Sequence, residues 1–120
     1  EIAVSSENLK DLVNELRYAG AEAISINENR VLATTDIIDM AEYTYIMVNL
    51  QRIQGPYVIK AIGNKEQLSS ILNMKGSGFI DRAKTSGINA SSSMQNRVEI
   101  PKYNGEFEIN YMSEVQTEQQ

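Results

Sequence analysis

A six-residue pattern occurs twice in this chain, and it restricts the fold more than any other feature. Ile26-Asn27-Glu28-Asn29-Arg30-Val31 returns as Val48-Asn49-Leu50-Gln51-Arg52-Ile53. Both copies read apolar, Asn, variable, amide, Arg, apolar. Asparagine tolerates the left-handed backbone of a tight turn better than most residues, and apolar residues just outside it suit paired strands. The pattern predicts two β-hairpins with matching tips, each with an arginine beside the turn. If Asn27-Glu28 is a two-residue turn, Ile24 pairs with Val31 and Ser25 with Arg30. The same registry at Asn49-Leu50 sets Ile46 opposite Ile53 and Met47 opposite Arg52. Ile24, Ile26, Val31 and Ala33 then share one face, as do Ile46, Val48 and Ile53, and both arginines fall on outer faces. The strongest two-residue turns carry Gly at the second position. Glu28 and Leu50 stand there instead, so a three- to five-residue loop, which would change the facing of one strand, is the alternative.

The flanking segments predict helices. Leu9, Leu12, Val13 and Leu16 recur at helical spacing over residues 7–19, with Ser6 as the cap and Gly20 as the stop. A second helix begins at Asn64, with Gln67 completing a capping-box variant and Leu68, Ile71 and Leu72 as its apolar stripe. Gly76-Ser77-Gly78 interrupts it, and Phe79, Ile80 and Ala83 continue the pattern to Gly87. Residues 57–62 are β-rich. Strands are also expected from Ile88 and at Val98 and Ile100, with an edge strand or arm at Phe107, Ile109 and Tyr111. Residues 35–45 show no clear period and fit a short helix or a packed loop. One α+β domain over residues 7–112 follows: a two-layer sandwich of two main helices on a mostly antiparallel sheet. Its order, α-β-β-α-β-β, is a circular permutation of the ferredoxin-like arrangement. Residues 113–120 are polar and read as a disordered tail.

Composition removes most chemistry. There is no cysteine and no histidine, so disulfides, thiolate catalysis and the commonest general base are excluded, and no metal or cofactor site is expected. A net charge of −5 argues against non-specific nucleic-acid or anionic-membrane binding. No apolar run approaches the roughly 20 residues of a membrane span. Asp36 with Asp39 is the closest carboxylate pair, and a solvated loop face is its ordinary reading. Gly76-Ser77-Gly78 lacks the spacing of a phosphate loop. Asn89-Ala90-Ser91 matches a glycosylation sequon, a short pattern that arises by chance. The functional candidates are Arg30 and Arg52, two guanidinium groups suited to a carboxylate or phosphate. Their ordinary role would be a cross-strand ion pair. Leu50 is unusually apolar for a turn tip, and Tyr57 with the other tyrosines adds amphipathic surface.

Longer blocks carry a resemblance. Val13-Asn14-Glu15-Leu16-Arg17-Tyr18-Ala19-Gly20-Ala21-Glu22-Ala23-Ile24-Ser25-Ile26-Asn27, the following Arg30, and Pro56-Tyr57-Val58-Ile59-Lys60-Ala61-Ile62-Gly63 are similar to a bacterial family, domain of unknown function 881. The similarity runs from about Leu9 to Tyr103, with the Gly87-Ile88 step and Ile100-Pro101-Lys102-Tyr103-Asn104-Gly105. This chain departs from that pattern at Glu28 and Leu50, where Gly is common. Members usually carry a membrane helix, then a coiled coil, then this domain outside the membrane, and their genes often lie near cell-division and envelope genes of Gram-positive bacteria. The resemblance implies that this chain, which starts at Glu1 rather than Met, is the extracytoplasmic part of an anchored protein. The function expected is a non-enzymatic interaction or scaffold domain with protein partners, homodimeric through an upstream coiled coil. Its surface would include Arg30, Leu50, Arg52 and Tyr57. A small-ligand-binding regulatory module is the alternative, by fold analogy.

Overall fold

The computed structural model describes residues 4–40 and 45–102. Helix α1 spans Ser6–Tyr18. Its cap is Ser5, one residue before the expected Ser6: the Ser5 hydroxyl accepts from the Asn8 amide, and the Asn8 side chain accepts from the Ser5 amide at 2.8 Å. The box closes with Asn where Glu or Gln is usual. Ser6 is the first helical residue and binds elsewhere. Leu9, Val13 and Leu16 are buried, with Leu12 partly buried beside them. At the other end Gly20 takes φ +98°, and the Gly20 and Ala21 amides donate to the Arg17 and Leu16 carbonyls at 3.0 and 2.9 Å. That is a Schellman motif, and its left-handed position suits glycine.

Among the described residues six strands follow before the next helix: β1 (Ala23–Ile26), β2 (Asn29–Arg30), β3 (Ile37–Asp39), β4 (Ile46–Val48), β5 (Gln51–Ile53) and β6 (Ile59–Ile62). They form two antiparallel three-stranded sheets, ordered β2-β1-β6 and β3-β4-β5. Both repeats make two-residue turns, with Asn27, Glu28, Asn49 and Leu50 all at φ between 47° and 69°. The registers follow the sequence pattern: Ser25 faces Arg30, Met47 faces Arg52 and Ile46 faces Ile53. Left-handed backbone disfavours Glu and Leu, and the asparagines supply compensating bonds. The Asn27 side chain donates to the Gln54 carbonyl at 3.1 Å and accepts from the Val58 amide at 2.7 Å. The Asn49 side chain donates to the Arg30 carbonyl at 2.8 Å, tying one sheet to the other. The repeated Asn therefore anchors each tip to a neighbouring segment as well as turning the chain.

Ile24, Ile26 and Val31 from the first sheet meet Ile37, Ile46, Val48 and Ile53 from the second in one core under α1. Ala33 is exposed, because the chain turns away after Val31. Strand β3 replaces the expected loop or short helix. Three residues are too few to show a period, and β4 offers them an edge to pair with. Helix α2 (Lys65–Leu72) starts at Asn64, whose side chain accepts from the Gln67 amide at 2.9 Å. The Gln67 side chain does not complete a box; it donates to the Ala19 carbonyl at 2.9 Å and links α2 to the end of α1.

The glycine interruption starts a separate helix α3 (Phe79–Thr85), giving three helices among the described residues. Phe79, Ala83 and Ile88 form a second cluster on which Leu12 and Leu72 also pack. The α+β class stands. The α-β-β-α-β-β order does not, because six strands separate α1 from α2 and residues 88–102 join no ladder. The strands expected from Ile88 and at Val98 and Ile100 are absent. The segment instead meets the first sheet through side chains of different strands: Lys60 of β6 donates to the Glu99 carbonyl and Arg30 of β2 to the Pro101 carbonyl. A chain that crosses strands cannot pair along them. The expectations at Tyr103, Phe107, Ile109, Tyr111 and 113–120 lie outside the described residues, as does Tyr43. No described helix is long and apolar enough to cross a membrane.

Candidate interaction surface

The two arginines do not share a grip, because each lies on the outer face of its own sheet with its own partner. Arg30 is half-buried and donates to the Pro101 carbonyl at 3.2 Å. Arg52 is exposed, and its guanidinium lies 4.9 Å from the centre of the Tyr45 ring, a cation–π geometry. The register places Ile38, Met47 and Arg52 in one row across the second sheet, on the face opposite the core. Ile38 is exposed and Met47 partly so. Among the described residues no carboxylate pairs with Arg52.

Leu50 stands at the tip of that sheet, 74% exposed and at φ +64°. A large apolar side chain in water on left-handed backbone is unfavourable twice over: the position favours Gly and the setting favours a polar residue. Tyr57 follows the cis Gly55-Pro56 bond and packs half-buried against the core. Burial first, and the Asp39 charge second, raise its phenol above the ordinary value of about 10. Below that pH the folded and unfolded chains both hold the proton. Above it the unfolded chain ionises first, so stability falls until the folded phenol ionises too. Denaturation midpoints should therefore decline as the pH rises past about 10, and Tyr57→Phe should remove part of the decline.

The carboxylates resolve into structural roles. Both Asp39 oxygens accept from Ser6, from its amide at 2.8 Å and its hydroxyl at 2.9 Å, which fastens the start of α1 to β3. Asp36 is exposed, and its backbone carbonyl accepts from the Asn49 amide. Among the described residues no group of three acids could hold a metal. Glu15, which drew no attention as a site in the sequence, is more consequential. It accepts from the Phe79 amide at 2.7 Å and from Arg82 at 2.8 Å, while Arg82 also reaches Asp11 at 2.7 Å and the Ser77 carbonyl. The hydrogen bonds to Asp11 and then Glu15 raise the Arg82 pKa further.

These groups line an open groove of about 440 Å³ with Asn14, Tyr18, Ile71 and Met74. Its one cation is already bonded to both acids. Sequence reasoning also missed Lys60, which the β1–β6 pairing sets beside Ser25. Only the long-range register could have found it.

Comparisons with known proteins place the chain. The model of a bacterial protein family of unknown function, DUF881, matches residues 1–113. The UPF0749 protein Rv1825 of Mycobacterium tuberculosis is 33% identical over 99 residues, covering 81% of this chain and 34% of that protein. The UPF0749 protein YlxW of Bacillus subtilis is 28% identical over 97 residues, covering 81% of this chain and 41% of its own length. The chain thus spans about a third to two fifths of these relatives. A crystal structure of an uncharacterized conserved protein from Mycobacterium tuberculosis superposes with a TM-score of 0.62 at 28% identity, over 82% of this chain and 80% of that one. With nearly its whole length matched by the family model and a relative above 30% identity, this chain belongs to the DUF881 family.

Proposed function

We propose that this is a non-enzymatic protein-interaction domain that docks through the tip and outer face of the second sheet. The observation that carries the reading is Leu50, an exposed apolar side chain held on unfavourable backbone near an arginine whose guanidinium sits over the Tyr45 ring. Strain kept at an exposed position is characteristic of a functional contact. The partner chemistry that fits is a protein surface with an apolar pocket for Leu50 and a carboxylate at its rim for Arg52. The family resemblance supports an extracytoplasmic setting in a membrane-anchored, coiled-coil-linked parent, dimeric through that coil and tied to cell division or the cell envelope.

Leu50→Gly separates stability from function. Glycine relieves the left-handed position, so the variant should be at least as stable as the parent, by up to about 1 kcal/mol in chemical denaturation. A photo-crosslinking residue near the tip, in the full-length protein within its own envelope, should give a discrete protein adduct. Leu50→Gly and Arg52→Ala should each abolish that adduct. No adduct above background, or adducts indifferent to both changes, would sink the reading.

A further inference from the structure

The outer face of the first sheet carries an arrangement that the interaction reading does not use. Ser25 is the middle residue of a cross-strand row, with Arg30 beside it on β2 and Lys60 on β6. Neighbouring strands lie about 4.8 Å apart, so the two cations flank the serine at about 10 Å between their backbones, within reach of long side chains. Ile24 and Ile26 point into the core, so Ser25 points the other way, to the face on which its neighbours Arg30 and Lys60 reach the Pro101 and Glu99 carbonyls. Its hydroxyl is 0% exposed and has no hydrogen-bond partner among the described residues. A buried, unpaired hydroxyl is destabilising, because it has given up its bonds to water and gained none. Removing it would be the simplest way to stabilise this sheet.

The covering segment is weakly held. Arg30 donates to the Pro101 carbonyl at 3.2 Å, Lys60 to the Glu99 carbonyl at 3.4 Å, and Lys65 to the Asn96 side chain at 2.8 Å. The first two are long bonds to neutral acceptors. Charge-assisted bonds between such cations and an anionic oxygen are shorter, about 2.7–2.9 Å, and roughly twice as strong as neutral ones. The two carbonyls thus stand where oxygens of a charged ligand would be better bound. One acid competes nearby: Glu28 pairs with Lys60 at 2.5 Å. The Glu99 carboxylate is paired with Arg97.

We infer that Arg30, Ser25 and Lys60 form a binding site for a phosphate-type oxyanion, closed by residues 96–101 acting as a displaceable strap. The guanidinium takes two oxygens, the ammonium a third, and the Ser25 hydroxyl donates to the anion from below. Occupation frees the strap from both cations.

The test uses the whole chain and inorganic phosphate, with chloride at matched ionic strength as the control. Phosphate should raise the melting temperature saturably and speed limited tryptic cleavage after Arg97, inside the strap. Ser25→Ala should keep the parent's melting temperature in chloride or raise it, while weakening phosphate binding roughly tenfold or more. Glu28→Gln should tighten binding, and Lys60→Gln should abolish it. A phosphate response no greater than that of chloride overturns the proposal. So does a Ser25→Ala variant that binds like the parent, or binding that leaves cleavage after Arg97 unchanged. A response to glycerol phosphate matching that to free phosphate assigns the site to the phosphate group itself. These readouts do not depend on the Leu50 surface, so either reading stands or falls alone.

Discussion

Gly78→Ala is expected to lower stability by about 3 kcal/mol, at the upper end for overpacking. A Cβ at this position would lie 2.4 Å from the Leu72 carbonyl oxygen and 2.7 Å from that of Ile71. Those atoms are backbone at the end of α2 and cannot rotate away. The turn between α2 and α3 is also fixed by the Gly78 amide, which donates to the Met74 carbonyl at 2.8 Å. Relief therefore requires the two helices to separate, which opens the cluster of Phe79, Ala83 and Ile88. Urea denaturation should show a lower midpoint with an unchanged slope, and a melting temperature lower by about 10 °C or more. Gly76→Ala is the control. Its Cβ would meet nothing within 4 Å, but its φ is +84°. Its loss should be only about 1 kcal/mol, a backbone effect alone. Equal losses at the two glycines would refute the steric account.

Glu15→Ala is the second large effect, also about 3 kcal/mol. The Glu15 carboxylate is only 12% exposed, and it holds the Phe79 amide and the Arg82 guanidinium together. Gly78, the α3 cap residue, has no side chain, so a carboxylate from α1 serves the first turn of α3 instead. Truncation leaves a donor without an acceptor and a cation that keeps only Asp11 and the Ser77 carbonyl. Glu15→Gln keeps an acceptor but no charge, and should lose about half as much. Once Glu15 is gone, Arg82→Ala should cost little more, with a coupling of about 1–2 kcal/mol in the four-variant cycle. Additive losses would mean that the two side chains act independently. Amide exchange in α3 should quicken before that in the β-sheets.

Much of the local structure could be read directly. The helical spacing of Leu9, Val13 and Leu16, the stop at Gly20 and the cap at Asn64 are short-range signals, and each element formed within a residue or so of expectation. The hairpin registers could also be read, because alternation of apolar residues about Asn27 and Asn49 leaves one pairing that buries them all. The missing glycines at Glu28 and Leu50 left a longer loop as the alternative. The two-residue turns form because asparagine side chains bond to residues distant in sequence, a stabilisation that turn statistics omit. The strands expected within residues 88–102 did not form. Val98 and Ile100 have strand-like spacing, yet the segment joins no ladder and is held by side chains of two different strands, Arg30 of β2 and Lys60 of β6.

The candidate residues divide along the same line. Arg30, Leu50, Arg52 and Tyr57 stood out in the sequence through residue type and turn position. What each one does was set by contacts across the fold: Arg30 on the Pro101 carbonyl, Arg52 on Tyr45, Tyr57 by its burial and then by the Asp39 charge. Ser25, Lys60 and Glu15 did not stand out as site residues. A serine in a strand or a glutamate on a helix is ordinary until register and helix packing give it neighbours.

By itself, then, the sequence determined the α+β class, the helix ends, the hairpin tips and the absence of thiol and imidazole chemistry, all of which depend on residue types and spacings within a few positions. Tertiary structure alone decided how six short strands divide into two sheets, and which charges meet. Those outcomes depend on closing loops of tens of residues over a shared core, and the free energy that selects them lies in burial and pairing between segments, where no local pattern records it.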